Sequence, residues 1–210
     1  MFRICLDDEC HKIEECHACE RNALIFCFLI NAAMFGAELY YGLLSGSVSL
    51  IGDSAHNIGD ALILGSSIFV IGSTLVSKAR LAIVKSLVML LFGLITLGYV
   101  MHNVSTGYVP DHTPITIVGI CVLIGNIIAA LLLLYYRNND INLKSAYICC
   151  RNDAISCVGI IIAGILVGLT KSNIPDIIIG GAIALLICYS SIAIFKESLN
   201  VIRDTRAPKS

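Results

Sequence analysis

Charge is what this sequence has least of. Only 14% of its 210 residues are charged, against about 25% in a soluble domain, and tryptophan is missing altogether. With 57% hydrophobic residues and a mean hydropathy of +0.87, soluble, disordered, collagen-like and disulfide-scaffold chains are excluded. Neither sign of charge dominates: the net charge is −1 at pH 7, so no basic surface argues for a nucleic-acid partner. The N-terminus lacks the apolar core of a secretory signal, because Asp7, Asp8, Glu9, Glu14, Glu15 and Glu20 crowd the first twenty residues. Neither an H-E-x-x-H zinc-protease motif nor a G-x-S-x-G elbow is present, which argues against a membrane enzyme.

What is present is a series of long apolar runs. They cover about residues 23–44, 48–76, 81–100, 115–136, 145–169 and 176–195, each near the roughly 20 residues that a membrane helix needs. Backbone polar groups cannot stay unpaired in lipid, so the runs predict helices. The expected fold is all-α, a six-helix polytopic transmembrane bundle over residues 21–200. A polar Cys/His-rich tail (1–20) precedes it and a short tail (201–210) follows. With both ends cytoplasmic, thirteen of the fourteen Lys and Arg fall in or near cytoplasmic segments and only Lys171 lies opposite. This is the positive-inside pattern. It predicts a multi-pass protein of the plasma or inner membrane, with lipid as its surroundings.

The chemistry lies in what interrupts the runs. An ionisable residue at membrane depth costs roughly 2.5–3.5 kcal/mol even on a lenient scale, which marks it as functional by default. The second run carries Asp53, His56, Asn57 and Asp60; the fifth carries Cys149, Cys150, Arg151, Asn152 and Asp153. His56 and Asp60 are spaced i, i+4 and share a helical face, and Cys149 and Asp153 repeat the spacing. One imidazole, one thiolate and two carboxylates suit a tetrahedral divalent ion. The competing reading makes them polar glue between helices, but two facing carboxylates without a cation repel until one takes a proton. Cys27, Cys121, Cys157 and Cys188 read as packing residues, and Cys150 sits about 100° round from Cys149, just off the proposed face. Arg151 is expected to snorkel to the interface. Asn31 and Glu38, seven residues apart on one face of the first helix, fit either polar packing or an ion path.

The segment from Gly42 through Ser45-Gly46-Ser47 to Asp53, His56 and Asp60 resembles the signature of the cation diffusion facilitator family. Asn31 and Glu38 fit that family's first helix, Asp153 with Ser156 and Gly159 its fifth, and Pro175-Asp176 the start of its sixth. The resemblance covers about residues 21–204. It implies a divalent cation exporter, mostly of zinc, that exchanges metal for protons, commonly as a homodimer. Carried over residue by residue, it implies a transport site of His56, Asp60, Cys149 and Asp153. No resident cofactor is expected, the metal being the cargo.

Three departures from the family pattern bear on substrate and regulation. Cys149 stands where the family has His or Asp, and a soft thiolate brings Cd²⁺, Pb²⁺, Hg²⁺ or Cu⁺ alongside Zn²⁺. The sequence ends soon after Asp204, where most members continue into a cytoplasmic domain, so a short form without it is expected. The 78–80 loop has no acidic residue for a loop metal site. In the first tail, Cys5, Cys10, His11, Cys16, His17 and Cys19 offer dense soft ligands. They read either as a capture site for metal or as idle reduced thiols. A non-transporting membrane metal sensor or assembly partner is the alternative function, and a passive channel would differ by lacking proton coupling.

Overall fold

A computed structural model of the chain describes residues 13–69, 75–136 and 141–206. All regular structure among them is helical: α1 (Ile13–Ser45), α2 (Val48–Phe69), α3 (Leu75–Thr106), α4 (His112–Tyr136), α5 (Ile141–Thr170) and α6 (Ile174–Arg206). The helix order matches the six apolar runs, but three bounds differ. Residues 78–80, read as a loop, lie inside α3, because α2 already ends at Phe69, and α6 continues to Arg206 through most of the segment read as a tail. At the start, α1 begins ten residues before the first apolar residue of its run, at Ile13 rather than Ala23. Cys16, His17 and Cys19 therefore fall on its first turns, whereas Cys5, Cys10 and His11 lie outside the described residues.

Five helices are long and apolar enough to cross a membrane: the spans 21–45, 79–106, 112–135, 147–170 and 174–205. Each buries only a third or less of its most apolar stretch inside the bundle. Leu91, Ile117, Leu131, Ile155 and Leu185, all more than half exposed, illustrate the outward apolar surface that lipid requires. This is a multi-pass membrane protein. The second helix is the exception in composition. At 22 residues it measures about 33 Å, enough for a hydrocarbon core of about 30 Å. Its polar residues at 53, 56, 57 and 60 lower its hydropathy, and it is instead shielded by protein, packing against α1, α3, α5 and α6. A helix that carries ionisable groups avoids lipid in this way.

The neighbours α1–α2, α1–α4, α4–α5 and α2–α5 close a four-helix core, with α3 and α6 paired along the outside of α2. Two apolar layers bracket the core's polar centre. Ala23, Cys27, Leu64, Leu133 and Cys150 meet toward the end where α1 and α5 begin. Met34, Leu50, Val122, Cys157 and Ile160 meet toward the opposite end. Cys150, left ambiguous by its angle on the helix, is a packing residue 1% exposed.

The α1–α2, α3–α4 and α5–α6 turns gather at one end of the bundle. Asn103 Nδ2 donates to Gly46 O at 2.9 Å, and Asn173 Nδ2 donates to Asn103 O at 2.9 Å. Gly46 has φ +73°, which ends α1, and a Cβ there would also collide with the Tyr108 ring. Asp176 in the first turn of α6 is fully buried and caps the start of α2. Its carboxylate accepts from Ser47 Oγ at 2.7 Å, Val48 N at 2.7 Å, Ser49 N at 3.2 Å and Ser49 Oγ. An anion at a helix N-terminus complements the free N–H groups and the helix dipole. The two helices come close there because residue 180 is glycine. A Cβ on Gly180 would lie 2.6 Å from the Ser49 nitrogen and the Val48 carbonyl carbon. Through Asp176 and Gly180, α6 fixes the depth at which α2 presents its polar face.

Candidate metal centre

The i, i+4 spacing sets His56 and Asp60 on the face of α2 that meets α5, where Asp153 projects back. His56 Nε2 lies 3.0 Å from Asp153 Oδ1. Ligand atoms of His56, Asp60 and Asp153 all fall within 4.8 Å of one another, a span that one metal ion can bridge. The carboxylates are almost fully enclosed, but 26% of the His56 side chain is exposed, so the cluster is not sealed from its surroundings. Asp60 Oδ2 and Asp153 Oδ2 are buried without a hydrogen-bond partner. Unsatisfied buried carboxylate oxygens are expensive, and a cation is the partner that would satisfy both at once.

Of the four residues read from the sequence, the structure thus brings three together. Cys149 flanks them: its thiol lies beside the Asp60 carboxylate, with Asp153 also near, but outside the mutual span of the other three. The reason lies in the helix. Cys149 is one turn nearer the start of α5 than Asp153, so it faces the Asp60 side of the cluster and not its middle.

Sequence reasoning missed one member of this neighbourhood. Nearness in sequence to Lys78 and Arg80 counts Lys85 among the thirteen cations in or near cytoplasmic segments. It is 8% exposed, ten residues into α3, and its Nζ lies 3.7 Å from Asp60 Oδ1. The signal available was its place inside an otherwise apolar run, which marks a partner in need of finding. Arg151 by contrast is exposed, with Nη2 3.4 Å from Asn152 Oδ1.

A second polar group begins one turn further along α2 toward the Asp176 end. Asn57 Nδ2 donates to Glu38 Oε2 at 2.6 Å, and Glu38 also touches Asp53. Asp53 Oδ2 lies 3.7 Å from Cys157 Sγ, which accepts from Asn126 Nδ2 at 3.5 Å. Glu38, Asp53, Asn57 and Asn126 are all buried. Cys157 is therefore more than the packing residue the sequence suggested, since its sulfur joins α4 and α5 to this network. Asn31 does not join it. Its Nδ2 bonds back to Cys27 O at 2.9 Å within α1.

Fold and site together define a polytopic helical membrane protein with a histidine–carboxylate cluster between two central helices. The cation efflux transmembrane domain model matches residues 24–202, and the chain belongs to that family, whose members are transporters and not enzymes. Among curated proteins it is 28% identical over 193 residues to zinc transporter ZitB of Pectobacterium atrosepticum, covering 84% of this chain and 59% of that one. It is 24% identical over 190 residues to zinc transporter ZitB of Yersinia pestis, covering 84% and 61%. The chain spans about three-fifths of the length of these relatives.

Proposed function

We propose that the protein exports a divalent metal cation, Zn²⁺ or a softer ion such as Cd²⁺, by alternating-access exchange for protons. The reading rests above all on the convergence of His56, Asp60 and Asp153 from two helices inside the bundle. The family membership and the zinc transporter relatives support the same cargo. His56 supplies a neutral imidazole, Asp60 and Asp153 supply charge to match a divalent ion, and Cys149 completes a tetrahedral set by a small movement along α5.

Ligation requires each donor to shed its proton, so metal and protons compete for the same atoms. Protons arriving from the far side displace the ion there, and the proton gradient, acting through the difference in affinity between the two faces, drives net transport. The network of Glu38, Asp53 and Asn57 extends from this cluster toward the Asp176 end, a polar route through an otherwise apolar layer. Both termini are assigned to the cytoplasm by the distribution of Lys and Arg. The working unit is a homodimer. The Cys5, Cys10, Cys16, His17 and Cys19 tail supplies metal to the inner mouth.

Reconstituted vesicles carrying a pH gradient test this reading. Zn²⁺ movement should stop when the gradient is collapsed and should be lost in His56→Ala and Asp153→Ala. Movement that survives both substitutions contradicts the assignment, and stoichiometric binding without turnover favours the sensor function instead. Cys149→His should shift preference toward Zn²⁺ over Cd²⁺. An unchanged ratio removes the thiol from the site.

A further inference from the structure

Lys85 is the one described cation in contact with the candidate metal centre, and the geometry around it is built to hold it there. Its Nζ lies 3.7 Å from Asp60 Oδ1, with both side chains more than nine-tenths buried. The stem reaches Asp60 from α3 across Gly59. A Cβ at that position would come 2.7 Å from Met89 Sδ and 3.3 Å from Lys85 Cε, so the glycine chiefly makes room for Met89 and lets the lysine stem pass in close contact. Asp60 keeps a second oxygen, Oδ2, buried and unpartnered. The ammonium therefore engages half of a carboxylate that the metal reading requires as a ligand.

An ammonium next to a divalent site has a definite consequence. Without the ion, Lys85 offsets the charge of Asp60 and allows the vacant cluster to stay buried. With the ion, the ammonium and the metal repel across a low-dielectric interior. We propose that Lys85 is a tethered cation that holds Asp60 when no metal is present and must withdraw for metal to bind, thereby setting the affinity of the site. It acts as a positioning and selectivity residue, not as a ligand, because an ammonium has no free lone pair to offer. Ions that bind the three-residue cluster weakly fail to displace it, while Zn²⁺ and Cd²⁺ succeed. This inference rests on the proposed metal reading of His56, Asp60 and Asp153.

The test is equilibrium Zn²⁺ binding to the full chain in detergent, by calorimetry or chelator competition. Native protein is compared with Lys85→Met, Lys85→Gln, Lys85→Arg and Asp153→Asn. Lys85→Met should tighten the Asp153-dependent Zn²⁺ site about tenfold or more, about 1.4 kcal/mol or more. Lys85→Gln should follow in the same direction, and Lys85→Arg should stay near native. A merely structural lysine would lower thermal stability in the Met and Gln variants without tightening Zn²⁺. Unchanged or weaker Zn²⁺ binding in the Met and Gln variants, with binding still lost in Asp153→Asn, would overturn this inference alone. No Asp153-dependent Zn²⁺ binding in either native protein or Lys85→Met would overturn the metal reading and this inference together.

Discussion

Replacing Asp176 with Ala should uncouple α6 from the start of α2, and the structure allows the cost to be worked out. The carboxylate is fully buried and takes four hydrogen bonds, two from backbone N–H groups of Val48 and Ser49 and two from the Ser47 and Ser49 hydroxyls. The hydroxyls can turn toward each other, since their oxygens are 3.2 Å apart. The two backbone donors have no such alternative, and each buried unsatisfied group costs about 1–3 kcal/mol. Loss of the anion at the helix N-terminus adds about 0.5–1 kcal/mol. The sum is about 2.5–7 kcal/mol. For a chain of this size each kcal/mol moves the melting temperature about 2–4 °C, so Asp176→Ala should melt at least about 5 °C lower in detergent. Asp176→Asn keeps one acceptor but turns an amide toward the donors, and should fall about halfway. Because α2 carries His56 and Asp60, Asp176→Ala should also weaken Zn²⁺ binding although it touches no ligand. A melting temperature within about 2 °C of native would refute the capping role.

Gly180→Val places a Cβ 2.6 Å from α2 backbone atoms that cannot move independently. It should prevent accumulation of folded protein in membranes, and normal expression would show that α2 and α6 are not held this close. Lys171 closes α5 at φ +53°, a conformation that costs a non-glycine residue about 1–2 kcal/mol. Lys171→Gly should therefore raise thermal stability by about 1 kcal/mol, seen as an upward shift of the unfolding midpoint. Asn57 donates at 2.6 Å to the buried Glu38 carboxyl. Asn57→Ala should cost about 1–3 kcal/mol, and less in a Glu38→Gln background. Fully additive losses in that double-mutant cycle would show that the pair does not interact.

The six helices and their order were legible because lipid enforces a simple rule, apolar outside with every backbone group paired inside. The pairing of His56 with Asp60 and the opposing Asp153 were legible from helical spacing. Lys85 was not. Nearness in sequence groups it with Lys78 and Arg80, whereas its depth along α3 sets its ammonium beside Asp60. Asp176 could be located at a helix start, but not as the cap of a different helix 128 residues away from Val48. Such contacts depend on how α2 and α6 cross, which periodicity does not encode. Cys149 illustrates the limit of spacing itself: i, i+4 gives a shared face, but not which of two residues on that face reaches the centre of the cluster.

The central claim is that a divalent ion is held between α2 and α5 by His56, Asp60 and Asp153. Anomalous scattering from the Zn²⁺-loaded protein measures this directly. The account predicts a single intramembrane peak about 2.0–2.2 Å from the His56 imidazole and from one oxygen of each carboxylate, with the Lys85 ammonium moved away from Asp60. A loaded protein with no peak between α2 and α5, and His56 still paired with Asp153, would contradict it.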